Sequence, residues 1–151
     1  MSCDFILLNG STVFSGNSAV LLGGGIAVWF QSVLVGNDIQ FLNNGVLNGT
    51  GGSGGGLFCA KRCKMQLQKV YFEQNTADFG AAIKLSMNSL GTISDIIVTN
   101  HQTITSGTLN VKLNCSLSLS GKNTFTLNTA QGGSAISIDM ANISMTGQHT
   151  S

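Results

Sequence analysis

Side chains able to do acid–base or nucleophilic chemistry are sparse in this sequence, and they fall into no recognisable constellation. Asp4, Asp38, Asp78, Asp95 and Asp139 are scattered, His101 has no carboxylate partner close by, and His149 stands near the C-terminal end. Asp38 and Asp95 each precede a repeat anchor described below, by three and two residues, but two turns of the repeat separate them. General acid–base catalysis needs groups held within hydrogen-bond reach of one reacting atom, which this spacing does not provide. No catalytic residue is expected, and both histidines read as solvated surface residues.

The cysteines are Cys3, Cys59, Cys63 and Cys115. The run from Cys59 to Cys63 reads as strand, turn and strand, which brings its two sulfurs within reach of a structural disulfide; buried free thiols are the alternative. As half of a zinc site it lacks a second Cys/His pair at ligand spacing, so no metal is expected. Cys63 and Cys115 hold equivalent positions two coils apart, roughly 9–10 Å, too far to bridge directly. The glycine-rich run 49–54 matches a dinucleotide-binding pattern, but Leu57 opens a strand where a helix is required, so no cofactor is expected. The calcium-binding nonapeptide is also excluded, because no aspartate lies between these glycines. Four Asn-x-Ser/Thr sequons, at Asn9, Asn48, Asn114 and Asn142, are candidate glycosylation sites, Asn48 being the most accessible by its place in the glycine-rich run.

Composition narrows the class further. Charged residues make up 9% of the chain, against roughly 25% in ordinary domains, and apolar residues 42%. Twenty glycines and no proline leave the turns to glycine and asparagine. A formal charge of +1, with one short basic cluster (Lys61, Arg62, Lys64, Lys69), gives no case for nucleic acid. The longest apolar stretch, 19–30, is broken by three glycines and falls short of the roughly 18–20 residues that span a bilayer, so no membrane insertion is expected. The first ten residues lack the basic region of a signal peptide.

Repeats organise what remains. Phe-x-x-Asn occurs at Phe14 and Asn17, Phe41 and Asn44, Phe72 and Asn75, and Phe125 and Asn128, with Ile97 and Asn100 as a variant copy; the spacings are 27, 31, 25 and 28 residues. Small residues followed by an aliphatic anchor recur at Ile26, Leu57, Ile83, Leu109 and Ile136, spaced 31, 26, 26 and 27. The longest interval contains a loop insertion, 45–53. Between the motifs lie short runs alternating with period two, and no helical period is sustained. Three short strands in about 27 residues is the arithmetic of a β-helix coil. Stacked about 4.8 Å apart, equivalent residues form columns: an internal aromatic stack with Ile97 as its aliphatic member, and a corner ladder of asparagines.

The paired motifs resemble the repeats of the polymorphic outer membrane proteins of chlamydiae, whose signature is Phe-x-x-Asn with Gly-Gly-Ala-(Ile/Leu/Val). The likeness runs from Phe14 to Ile136, although the second motif never takes the form Gly-Gly-Ala-Ile and no barrel segment follows. It implies an adhesive or surface-displayed scaffold.

The expectation is therefore an all-β chain, 1–151 forming one right-handed parallel β-helix segment of about five coils anchored at Phe14, Phe41, Phe72, Ile97 and Phe125. Both ends read as mid-coil, so the segment is expected to belong to a longer helix, with further coils as its neighbours and the signal peptide outside it. The expected role is a non-enzymatic structural or adhesive scaffold, extracellular or on the cell surface, meeting glycans or surface proteins through a lateral sheet face. Trp29 and Phe30 are the candidate aromatic pair, one in the wall and one outward. The rival is the non-catalytic part of a carbohydrate-active β-helix.

Overall fold

A computed structural model describes residues 4–47, 49 and 51–150. Among these, every regular element is a strand. The first coil contains β1 (Phe5–Leu8), β2 (Thr12–Ser15), β3 (Ser18–Ala19) and β4 (Ile26–Val28). The second has β5 (Val33–Leu42), β6 (Gly45–Val46) and β7 (Leu57–Ala60), and the third β8 (Lys64–Glu73), β9 (Thr76–Phe79) and β10 (Ile83–Ser86). The fourth has β11 (Leu90–Thr99), β12 (Gln102–Ser106) and β13 (Leu109–Lys112). The fifth has β14 (Ser116–Ser120), β15 (Lys122–Thr126) and β16 (Ile136–Asp139), after which β17 (Asn142–Met145) and β18 (Gln148–Thr150) open another turn.

Each strand pairs in parallel with its counterpart one coil away, giving a β-solenoid of about five turns. A nine-stranded first sheet carries β1, β5, β8, β11, β14 and β17 with their continuations; β3, β6, β9 and β12 form the second, and β4, β7, β10, β13 and β16 the third. The aliphatic anchors Ile26, Leu57, Ile83, Leu109 and Ile136 are direct partners in the third sheet, in the register their spacing predicts. Both ends of the insertion belong to the ladder: Gly45 and Val46 form β6, and Ser53 bridges Leu22 and Phe79. The bulge is thus narrower than 45–53.

Packing explains the motifs. Phe14, Phe41 and Phe72 stack along the axis with centroids 5.1 and 4.7 Å apart, Phe41 and Phe72 fully buried. A Cβ on Gly56 would lie 2.9 Å from the Phe72 ring and 2.8 Å from the Ala82 carbonyl, so the small residues before each anchor make room for the aromatic column. The fourth member of that column is Val98, not Ile97. Val98 pairs with both Phe72 and Phe125 and is buried, whereas Ile97 pairs with Tyr71 and Thr124 and is 42% exposed. Side chains alternate along a strand, so a one-residue slip exchanges core for solvent.

Glycine and asparagine fill many of the corners, as expected, among them Gly10, Gly16, Gly121, Asn43, Asn88 and Asn100, but not all of them. Residues with positive φ recur at equivalent places: Asp38, Lys69 and Asp95 within the long strands, and Asn43, Gln74, Asn100 and Leu127 at the next bend. The two-residue turns Phe30-Gln31, Lys61-Arg62, Met87-Asn88 and Leu113-Asn114 form a third set. A non-glycine residue in this region costs about 1–2 kcal/mol. The inter-coil bonds continue through the corners, as in Asn43 N–H to Glu73 C=O at 2.9 Å and Arg62 N–H to Met87 C=O at 2.9 Å, and offset that cost. Tertiary pairing overrides local preference here.

Candidate functional site

A concavity runs along the outside of the first sheet. Alternation sends Leu34, Met65 and Leu117 into the core and turns Val35, Gln66, Thr92 and Ser118 outward. A second outward row, Asn37, Gln68, Ser94 and Ser120, follows two residues later. These rows, which end at the bend of Asp38, Lys69 and Asp95, line an open groove of about 510 Å³ with Asn9 at one end. Its lining includes no charged side chain. Amides and hydroxyls repeat along it at the coil spacing, about 4.8 Å, offering both donors and acceptors. Such a surface suits a neutral, hydroxyl-rich ligand.

Asp38 and Asp95 are brought into one column at the rim, two coils apart, with Lys69 between them. The Asp95 carboxylate accepts the Lys122 backbone N–H at 3.0 Å, which ties it to the corner. Asp78 is buried, its carboxylate accepting the N–H groups of Gly49, Gly51 and Gly52 at 2.9, 2.6 and 3.1 Å; it anchors the glycine-rich bulge. Asp139 pairs with Lys112 at 3.6 Å. Among the described residues, no three His, Cys, Asp or Glu side chains gather in a way that could hold a metal ion.

The asparagine ladder is structural. Asn44 Oδ1 accepts both N–H groups of Asn17, at 3.1 and 2.8 Å, while Asn44 Nδ2 donates to the Phe14 carbonyl at 2.8 Å. Asn75 repeats this toward Asn44 and Phe41. The fourth rung is His101, which replaces the expected Asn100. Its Nδ1 accepts the Asn75 backbone N–H at 2.9 Å, and its own N–H donates to Asn128 Oδ1 at 3.1 Å. Asn100 is instead an exposed corner residue with φ of 57°. His101 is therefore buried rather than solvated, and its Nε2 has no partner. Burial pushes its pKa down to about 3, and Nδ1 can accept the Asn75 N–H only while unprotonated, so the ring is neutral at ordinary pH. His149 lies exposed on β18.

Cys59 and Cys63 are bridged across the Lys61-Arg62 turn, with Cα atoms 5.7 Å apart. Cys115 is a buried free thiol, separated from Cys63 by Ser89; the Ser89 N–H donates to its sulfur at 3.3 Å, and burial raises its pKa. Cys3 and the sequon at Asn48 lie outside the described residues, while Asn9, Asn114 and Asn142 are exposed. Neither Trp29 nor Phe30 is a core residue, because both follow the end of β4. Trp29 packs on Phe58 at 4.9 Å, Phe30 is 58% exposed, and Lys61 Nζ sits 4.9 and 4.3 Å from their ring centroids. Alternation does not extend into a turn, which is why they do not divide between wall and solvent. No helix is long and apolar enough to cross a membrane among the described residues.

Compared with known proteins, the chain matches no family model, no curated protein and no solved structure.

Proposed function

We propose that this chain is a non-enzymatic adhesive scaffold of a secreted or cell-surface protein, and that the groove on the first sheet is its contact face for neutral glycans. The observation that carries this reading is the uncharged double row of amides and hydroxyls running along the axis through successive coils. A periodic row favours weak contacts repeated along a polymer, so affinity comes from multivalency rather than from one deep pocket. Display outside the cell is supported by the Cys59–Cys63 bridge, which suits an oxidising compartment, and by exposed sequons at Asn9, Asn114 and Asn142. The motif likeness to chlamydial polymorphic outer membrane proteins points the same way.

A glycan array probed with the purified chain tests the proposal. Binding to neutral polysaccharides that falls at least tenfold in a Gln66→Ala/Gln68→Ala variant is expected. Binding unaffected by that variant, or confined to anionic glycans, overturns it. The rival, part of a carbohydrate-active β-helix, is favoured by the Asp38, Lys69 and Asp95 column beside the groove. Release of reducing or unsaturated ends from a bound polysaccharide, lost in Asp95→Asn, decides for the rival.

A further inference from the structure

The concave corner between the second and third sheets buries a lysine against an asparagine, and the adhesive groove uses neither. Gly80, with φ of 63°, turns the chain between β9 and β10, and the residues that end two second-sheet strands, Phe79 of β9 and Ser106 of β12, reach over the outer face of the third sheet. Lys84 and Asn110 are direct partners on β10 and β13. They alternate with core residues Ile83, Leu85, Leu109 and Val111 and so face away from the core, yet Lys84 is only 7% exposed and Asn110 not at all. Lys84 Nζ hydrogen-bonds to Asn110 Oδ1. The Phe79 ring centroid lies 5.5 Å from Nζ, and Asn110 Nδ2 donates to Ser106 Oγ at 2.6 Å.

A buried ammonium is normally paired with a carboxylate. The carboxylate in electrostatic reach, Asp139, is ion-paired with Lys112 instead. Burial, reinforced by the charge of Lys112, lowers the Lys84 pKa to about 8, which raises the share of neutral, nucleophilic amine near neutral pH well above that of an ordinary lysine. Among the described lysines, Lys84 is the buried one.

We propose that Lys84 and Asn110 join in an intramolecular isopeptide bond that locks the third coil to the fourth. Neutral Nζ attacks Asn110 Cγ; the Nζ–Cγ bond forms, the Cγ–Nδ2 bond breaks and Nδ2 leaves as ammonia. Oδ1 remains as the carbonyl oxygen of the new amide. The proton shed by Nζ passes to Nδ2 as that nitrogen departs, giving neutral ammonia; the Ser106 hydroxyl, which accepts an Nδ2 N–H, orients the leaving group. Nothing is oxidised or reduced, and no co-reactant is consumed. The two groups are held side by side by sheet register in a water-poor corner, the arrangement that makes a slow amide exchange effectively unimolecular.

The intact mass of the purified, reduced full chain, incubated at a pH near the lysine's midpoint, tests this directly. The expected mass is lower than the sequence mass by one ammonia, trypsin fails to cut after Lys84, and fragment spectra show one branched peptide containing both residues. Lys84→Arg and Asn110→Ala each restore the full mass. A wild-type chain at full sequence mass overturns the proposal. So does ammonia loss mapping to the Asn-Gly steps at Asn9, Asn44 or Asn48, where a succinimide gives the same mass change. The wild-type spectrum decides the matter whether or not the variants fold.

Discussion

His101 offers a quantitative handle on the ladder, because it does an asparagine's work with one hydrogen-bonding group too few. In the other buried rungs, Asn44 and Asn75, the side chain accepts a backbone N–H of the preceding coil and donates to that coil's Phe carbonyl. His101 does only the first, through Nδ1, and leaves Nε2 buried without a partner. His101→Asn supplies the missing donor toward Phe72, a gain of about 1 kcal/mol near neutral pH set against slightly looser packing. The larger effect is in acid. The folded-state pKa, about 3, lies below the unfolded value of 6.5, so between them the unfolded chain binds a proton that the folded chain refuses. The stability that neutral His101 contributes is full above 6.5 and is lost as pH falls toward 3. At about pH 4.5, two units into that window, the loss is on the order of 2–3 kcal/mol. Urea unfolding followed by Trp29 fluorescence, at about pH 7.5 and about pH 4.5, should therefore show His101→Asn gaining about 2–3 kcal/mol more over wild type at the lower pH. Carboxylates titrate alike in both proteins and cancel in the difference. An equal effect of the substitution at the two pH values refutes the reasoning, since the imidazole would then not be held neutral in the ladder.

Phe41→Ala, at the centre of the aromatic stack, is expected to cost about 3–5 kcal/mol, read as a lowered urea midpoint. Val98→Asp should abolish folding or cost more than about 4 kcal/mol, while Ile97→Asp, one residue away on the exposed face, should stay within about 1 kcal/mol; soluble yield and circular dichroism separate the two. Asp78→Ala removes the acceptor of three N–H groups, and should speed amide exchange at Gly51 and Gly52 and admit protease cleavage between 47 and 52 while the sheets stay protected.

What the chain reveals before folding is uneven, for physical reasons. The aliphatic anchors are unambiguous because small residues precede them and their interval hardly varies, and their register in the third sheet follows the sequence. The Phe-x-x-Asn copy in the fourth coil is misleading: Ile97 and Asn100 satisfy the pattern, but the column takes Val98 and His101. The signal was present in the spacing, since Phe72 to Val98 is 26 residues, matching Ile83 to Leu109, whereas Ile97 is one short. Imidazole Nδ1 can replace an amide oxygen as acceptor, which motif matching on asparagine overlooks. The outward rows of the groove follow from alternation, but the bend that ends them falls on Asp38, Lys69 and Asp95, and of these only the aspartates are a residue type that favours positive φ. The burial of Lys84 is hidden as well: it faces outward on its strand, and only the turn at Gly80 covers it.

Everything rests on the parallel register between coils, and nuclear Overhauser contacts in an isotope-labelled sample measure that register residue by residue. Inter-strand contacts linking Phe41 to Phe72, Phe72 to Val98 and Val98 to Phe125, together with those linking Leu57, Ile83 and Leu109, are the predicted result. Contacts running antiparallel between neighbouring segments, or pairing Ile97 rather than Val98 with Phe72, would contradict it.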